Sequence, residues 1–169
     1  DHPWIPTVSQ LINDIYNANM PIFGVCFGHQ LIAQALGGRV EKSIKGWGLG
    51  LHTYEINNKA DYMGNLSEEV TLNICHQDQV LEVPEGATIY ARSQFCENAG
   101  FYIKDKVLTM QAHPEFLVDF IKALLNARRD ITIPKEFVDP AIVKLNSYPD
   151  TVQSNQFAET IRKFFQVRF

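Results

Sequence analysis

No run of apolar residues in this 169-residue sequence approaches the roughly 20 positions that a bilayer-spanning helix needs. No secretory pattern opens it either, so no membrane association is expected. Cysteine is scarce: Cys26, Cys75 and Cys96 are too few, and odd in number, for a disulfide framework. Reduced thiols are the expectation, and with them a cytoplasmic setting. Basic charge is scarce too. Against 19 Asp and Glu stand 15 Lys and Arg, a formal net charge of −4, which argues against a nucleic-acid partner and the basic face it requires. Internal repeats, low-complexity tracts and linkers are absent, and 46% hydrophobic with 20% charged content suits one domain with its own core. The first residue is Asp1 rather than Met, which leaves open a processed chain or the later part of a longer one.

What is present alternates between helical and strand-like patterns. Val8, Leu11, Ile12, Ile15 and Tyr16 recur at helical spacing and predict an amphipathic helix over 8–18. "PIFGVC" from Pro21 is a short buried strand, and Leu31, Ile32, Ala35 and Leu36 resume the helical period until Gly37 and Gly38 stop it. Helix, strand, helix with short joints predicts an α/β layered fold, its central sheet mostly parallel and flanked by helices. The middle is β-rich and broken by turn residues: "LGLHTYEI", "EVTLNIC", "ATIYARS", and a tight antiparallel hairpin of "GFYIKD" with "KVLTMQ" around Asp105. Helical spacing returns over Phe116–Ala127, a looser proline-containing segment covers Ile131–Asp150, and a last helix is expected over Val152–Phe165.

Within this rhythm one residue is oddly placed. Cys26 sits between Gly24 and Gly28, where a buried strand turns into a helix. That is the spacing of a nucleophile elbow with sulfur in place of hydroxyl, at the sheet edge where α/β sites form. Helix N-terminal N–H groups would lower the pKa of a thiol there, and the N–H of Phe27 is placed to stabilise an oxyanion. A small buried thiol packed under a helix explains the same residues about equally well, so a base must decide.

There are five histidines. His2 and His52 read most simply as surface or packing residues, His29 as pointing along the helix away from the thiol, and His76 as a strand end beside Cys75. His113 ends the last strand in "MQAHPEF", which brings it to the sheet edge near Cys26, and Glu115 two residues on can orient its ring. The same His-Pro-Glu also suits the entry to a helix, and both readings can hold together. His76 and Asp78 lack the supporting ligands of a metal site, so no metal is expected. "KGWGLGL" from Lys45 lacks the spacing of a phosphate loop and reads as a strand with close backbone contacts.

"GVCFGHQ" followed by "HPE", with "HQDQVLEVPEG" between them, closely resembles the class I glutamine amidotransferases. The stretch looks most like the branch that includes the glutaminase part of GMP synthetase and the plant-type γ-glutamyl peptidases. The resemblance runs from about Ile22 to Glu115 and implies a flavodoxin-like fold with an antiparallel strand and hairpin region. It implies a triad of Cys26 as nucleophile, His113 as base and Glu115 as its orienter. It matches Gln30 to the residue that contacts the amino-acid end of the substrate, and Gln77 and Asp78 to a loop lining the pocket. The family's Gly-rich loop, which supplies a second oxyanion donor, does not occur between Asp1 and Cys26. One amidotransferase-like domain lacking its N-terminal strands and that loop is therefore expected.

The implied reaction needs no cofactor. Cys26 attacks the γ-carbonyl of glutamine or a γ-glutamyl small molecule, ammonia leaves, and water resolves the thioester. No synthetase motif is present, so an ammonia-accepting synthetase would be a separate chain. A γ-glutamyl peptidase acting on glutathione-like peptides is the first alternative, and a non-catalytic binding or regulatory module of the same fold is the second.

Overall fold

The computed structural model describes residues 2–147 and 153–167. Helix α1 (Ile5–Asn17) begins with Pro6 in its first turn, where a missing N–H costs nothing. Strand β1 (Ile22–Val25) follows, then Cys26, then helix α2 (Phe27–Ala35). Strands β2 (Arg39–Lys42), β3 (Gly48–Ile56), β4 (Glu69–His76), β5 (Asp78–Glu82), β6 (Thr88–Arg92), β7 (Gly100–Ile103) and β8 (Val107–Met110) come next. Helices α3 (Val118–Arg128), α4 (Lys135–Ser147) and α5 (Ser154–Gln166) complete the described residues. The sequence placed the last helix from Val152, which lies outside them.

The α/β layering expected from the sequence is what the chain adopts. Six strands form one sheet in the order β1-β8-β7-β6-β3-β4, while β2 and β5 form a separate antiparallel ribbon. Against the expectation of a mostly parallel sheet, only β1 and β8 pair in parallel among the described strands of that sheet. The pairs β7–β8, β6–β7, β3–β6 and β3–β4 are all antiparallel. The reason is connection length. Three residues join β7 to β8, enough for a hairpin but not for the crossover that parallel neighbours need.

The core divides by sheet face and end. Helices α1 and α2 put Ile12, Leu31 and Ile32 against Phe101, Ile103 and Val107. On the other face Phe157 and Phe164 of α5 pack with Tyr54, Leu72, Tyr90 and Met110. Helices α3 and α4 cover the start of β3, where Ile121, Leu125, Val138 and Leu145 meet Leu49 and Leu51. The proline-containing segment Ile131–Asp150 was expected to be loose, yet it holds helix α4, with Pro140 inside it. It is regular, with Pro140 exposed and Val138, Ala141 and Leu145 buried on the sheet side, so packing outweighs the lost hydrogen bond. No helix of the described residues is long and apolar enough to cross a membrane.

Candidate active site

The corner at Cys26 is strained. Its φ of 50° and ψ of −103° lie where L-residues rarely go, at the N-cap of α2. Neighbouring bonds hold it there: the Cys26 N–H donates to the Met110 carbonyl of β8 at 2.8 Å, and the Gln30 N–H donates to the Cys26 carbonyl at 3.1 Å. Gly24 permits the turn, because its Cα lies directly under the backbone of Gly28. The cysteine side chain is half-buried at the end of the parallel pair.

His113 is fixed from three sides. Its backbone N–H donates to the Asn73 carbonyl at 2.8 Å, its ring stacks on Phe116 with centroids 3.8 Å apart, and Nδ1 lies 2.6 Å from Glu115 Oε1. A carboxylate accepts, so Nδ1 carries the proton and Nε2 is left as the basic nitrogen. Partial burial pushes the Glu115 carboxyl up, but the hydrogen bond from His113 and a backbone N–H outweigh it and bring the group below its usual value. No hydrogen bond joins the His113 ring to the Cys26 sulfur.

The sulfur has other partners. Gln111, buried two residues before His113, donates its Nε2–H to Cys26 Sγ at 3.6 Å. The backbone N–H of Phe27, next in the chain, also favours the thiolate. The sequence reading missed Gln111 and Asn73. Nothing local marks either: β8 stops at Met110, so Gln111 and His113 lie beyond the last strand rather than at its end, and the Asn73 carbonyl and side-chain amide both clamp the 113–116 turn.

The thiol is not activated at rest. Burial pushes Cys26 up to about 11; the Phe27 N–H and Gln111 work against burial, while Cys75 and Glu115 add to it. The helix-terminus argument predicted a lowered value, but desolvation of a thiolate outweighs one N–H and one amide donor. Alkylation of Cys26 by iodoacetamide is therefore expected to speed up about tenfold per pH unit from about pH 7, levelling only near 11. A plateau already reached at about pH 8 would show a pre-formed thiolate. Cys96, fully buried and pushed up to about 12, should react last.

The other expected site residues are placed as follows. Gln30 is buried, and both of its amide hydrogens are spent, on the Asp78 carbonyl at 2.7 Å and on Gln111 Oε1 at 3.0 Å. It thus links the corner to Gln111 and leaves only its own oxygen for a substrate. Gln77 is not in a loop but is the single residue between β4 and β5, its carbonyl accepting from Ser43 N–H. Asp78 opens β5, and its carbonyl also accepts from His76 Nδ1 at 3.0 Å. Phe27, Gln30 and Asp78 line a cavity of about 830 Å³ on one side of the corner, while His113 lines a separate one of about 290 Å³. His29 lies fully buried against Phe101 with Nδ1 on the Thr109 hydroxyl, and burial holds it down at about 3. No group of three or more metal-ligating side chains is clustered among the described residues.

The sequence pattern of the glutamine amidotransferase class-I family matches residues 2–122. The chain belongs to that family. Among its amidotransferase-family relatives, gamma-glutamyl peptidase 4 of Arabidopsis thaliana is 40% identical over 126 residues, covering 72% of this chain and 50% of that protein. The glutamine-hydrolyzing GMP synthase subunit of Methanocaldococcus jannaschii is 35% identical over 114 residues, covering 67% of this chain and 60% of that one. The chain thus spans about half to three fifths of the length of these curated relatives. A glutamine amidotransferase crystal structure from Thermotoga maritima superposes with a TM-score of 0.76 over 98% of this chain and 71% of that one, at 21% identity.

Proposed function

We propose that this chain carries acyl-transfer chemistry at a γ-glutamyl amide, with Cys26 as nucleophile, His113 as base and Glu115 as its orienter. The observation that carries this reading is the 2.6 Å contact from His113 Nδ1 to Glu115, which leaves Nε2 basic three residues beyond β8, the strand that pairs with β1 just ahead of Cys26. In the first step His113 Nε2 takes the thiol proton as sulfur attacks the γ-carbonyl. The Phe27 N–H turns from the sulfur to the developing oxyanion. The C–N bond then breaks, and the proton on His113 passes to the departing nitrogen. Water, losing a proton to His113, opens the thioester to glutamate and restores the thiol.

Because Cys26 rests as a thiol, its proton moves as part of catalysis rather than before it. On this reading Gln30 and Asp78 border the glutamyl end, with Gln77 holding the strand corner beside them. We place the residues in one domain of the family and in the cytoplasm. Glutamine is the first substrate, with ammonia passed to a synthetase on another chain, as the GMP synthase relatives suggest. Hydrolysis of γ-glutamyl peptides is the second reading, favoured by the cavity that His113 lines away from the Gln30 side.

The leaving group separates them. Given glutamine and γ-glutamyl dipeptides separately, a glutaminase releases ammonia and refuses bulky leaving groups, whereas a peptidase releases amine faster than ammonia. Turnover of neither, with the His113–Glu115 contact intact, would favour a binding or regulatory module instead.

A further inference from the structure

The side chain of Gln111 is held at both ends of its amide. The residue is fully buried, and its own backbone N–H donates to the Ala99 carbonyl at 2.7 Å, which fixes the chain just beyond β8. The neighbours decide which end of the amide faces which way. The Asp78 carbonyl can only accept, so the Gln30 atom 2.7 Å from it is the NH2 nitrogen. The second hydrogen of that nitrogen goes to Gln111 Oε1 at 3.0 Å. The other end of Gln111, its Nε2–H, is thereby turned to Cys26 Sγ at 3.6 Å. A backbone carbonyl that cannot flip thus sets the orientation of two amides and presents a donor to the sulfur.

A buried pair of amides is often only the mutual satisfaction of polar groups in a core. Here the chain of donors ends on the reacting atom. A carboxamide cannot take a proton from the thiol, so Gln111 does not compete with His113 as base. A thiol sulfur is a weak acceptor and a thiolate a charged one, so the same contact strengthens as the proton leaves. With Gln111 shielded from water, solvent does little to weaken it. An interaction that grows along the reaction lowers the barrier rather than the ground state. Cys75 and Glu115 both oppose a charge on the sulfur, which leaves this amide and the Phe27 N–H to favour it.

We propose that Gln111 is a further catalytic residue, whose side-chain amide steadies the charge that develops on the Cys26 sulfur. Gln30 acts through it as a positioning residue: by holding Gln111 Oε1 it keeps the Nε2–H turned to the sulfur. The assignment rests on Cys26 being the nucleophile, and its test does not need turnover.

The measurement is the rate at which iodoacetamide alkylates Cys26 in the folded chain, read by peptide mass at one pH well below about 11. Gln111→Met keeps the length of the side chain and removes the donor. It should slow Cys26 about tenfold, the scale of one hydrogen bond to a charged group. Gln30→Met leaves the Gln111 amide free to turn and should slow Cys26 about threefold. In the double variant the Gln30 substitution should add nothing, because the amide it orients is gone. Unchanged or faster alkylation in Gln111→Met overturns the assignment, and a Gln30 effect that persists in the double variant overturns the relay. Cys96, fully buried, is read in the same digest, and its rate rises only if the fold loosens. Should it rise in Gln111→Met, Gln111→Asn takes its place: that amide is one methylene short of the sulfur, keeps the site polar, and should show the same loss. Where γ-glutamyl amides turn over, Gln111→Met should lower kcat by a similar factor with KM unchanged, and a raised KM with kcat intact would overturn the catalytic role. Absence of hydrolysis in the wild type would leave the alkylation result standing, so the two readings fail separately.

Discussion

Replacing Cys26 with alanine is expected to lower γ-glutamyl amide hydrolysis by about ten-thousand-fold or more, the scale seen when a nucleophile is removed from a hydrolytic triad. No thioester can form without the sulfur, and what remains is whatever the Phe27 N–H and the surrounding pocket supply to a direct attack by water. Cys26→Ser should fall nearly as far. Burial that already lifts the thiol to about 11 penalises an alkoxide more severely, and the His113 imidazole is too weak a base to make up the difference. The measurement is the rate of ammonia or amine release, beside intact-protein mass after quenching in acid. A glutamyl adduct should appear on the wild-type protein and on neither variant. Retention of more than about a hundredth of the rate by Cys26→Ala would move the nucleophile elsewhere, and Cys75, which borders the His113 cavity, would be the residue to examine.

The second large effect is on stability, and it separates two glycines that look equivalent in sequence. A Cβ on Gly24 would stand 2.5 Å from Ile32 Cδ1 and 2.7 and 2.8 Å from the carbonyl carbon and oxygen of Gly28. The isoleucine end can swing away; the Gly28 backbone is part of α2 and cannot, so β1 and α2 must part. Gly24→Ala should cost about 2–3 kcal/mol, the upper range for overpacking. In a chain of this size that lowers the melting temperature by roughly 4–12 °C. A Cβ on Gly28 meets nothing within 4 Å, and its position near the start of α2 favours alanine. Gly28→Ala should therefore be neutral, or stabilising by up to about 1 kcal/mol. Thermal melts of the two variants decide it, and equal losses would show that the close approach at Gly24 is not what holds the corner.

How much of this was legible beforehand follows from where the physics is local. The strand, corner and helix around Cys26 could be read because an apolar run, two glycines and a switch to helical period all fall within 18 residues of sequence. The β7–β8 hairpin was legible for the same reason. The ribbon of β2 and β5 was not: "RVEK" is charged and mostly exposed, and it becomes a strand only because residues 78–82 lie alongside. Helix α4 was hidden by Pro140, since its stabilising contacts with Leu49 and Leu51 are remote in sequence. Gln111 and Asn73 escaped for a related reason, their roles being set by partners 85 and 40 or more residues away. Even the sign of the Cys26 shift depended on burial, which composition does not reveal.

The parallel pairing of β1 with β8 has a further consequence, for the order of events in folding. It brings Val25 opposite Met110, and so joins the two ends of a loop of some 85 residues. Closing a loop that long has an entropic cost that local structure cannot offset until the intervening hairpins have formed and shortened it. Cys26 and His113, the proposed nucleophile and base, are thus far apart in any partly folded chain, and they come to the same end of the sheet only when β8 docks beside β1. In this topology the pair comes into being no earlier than the domain that contains it.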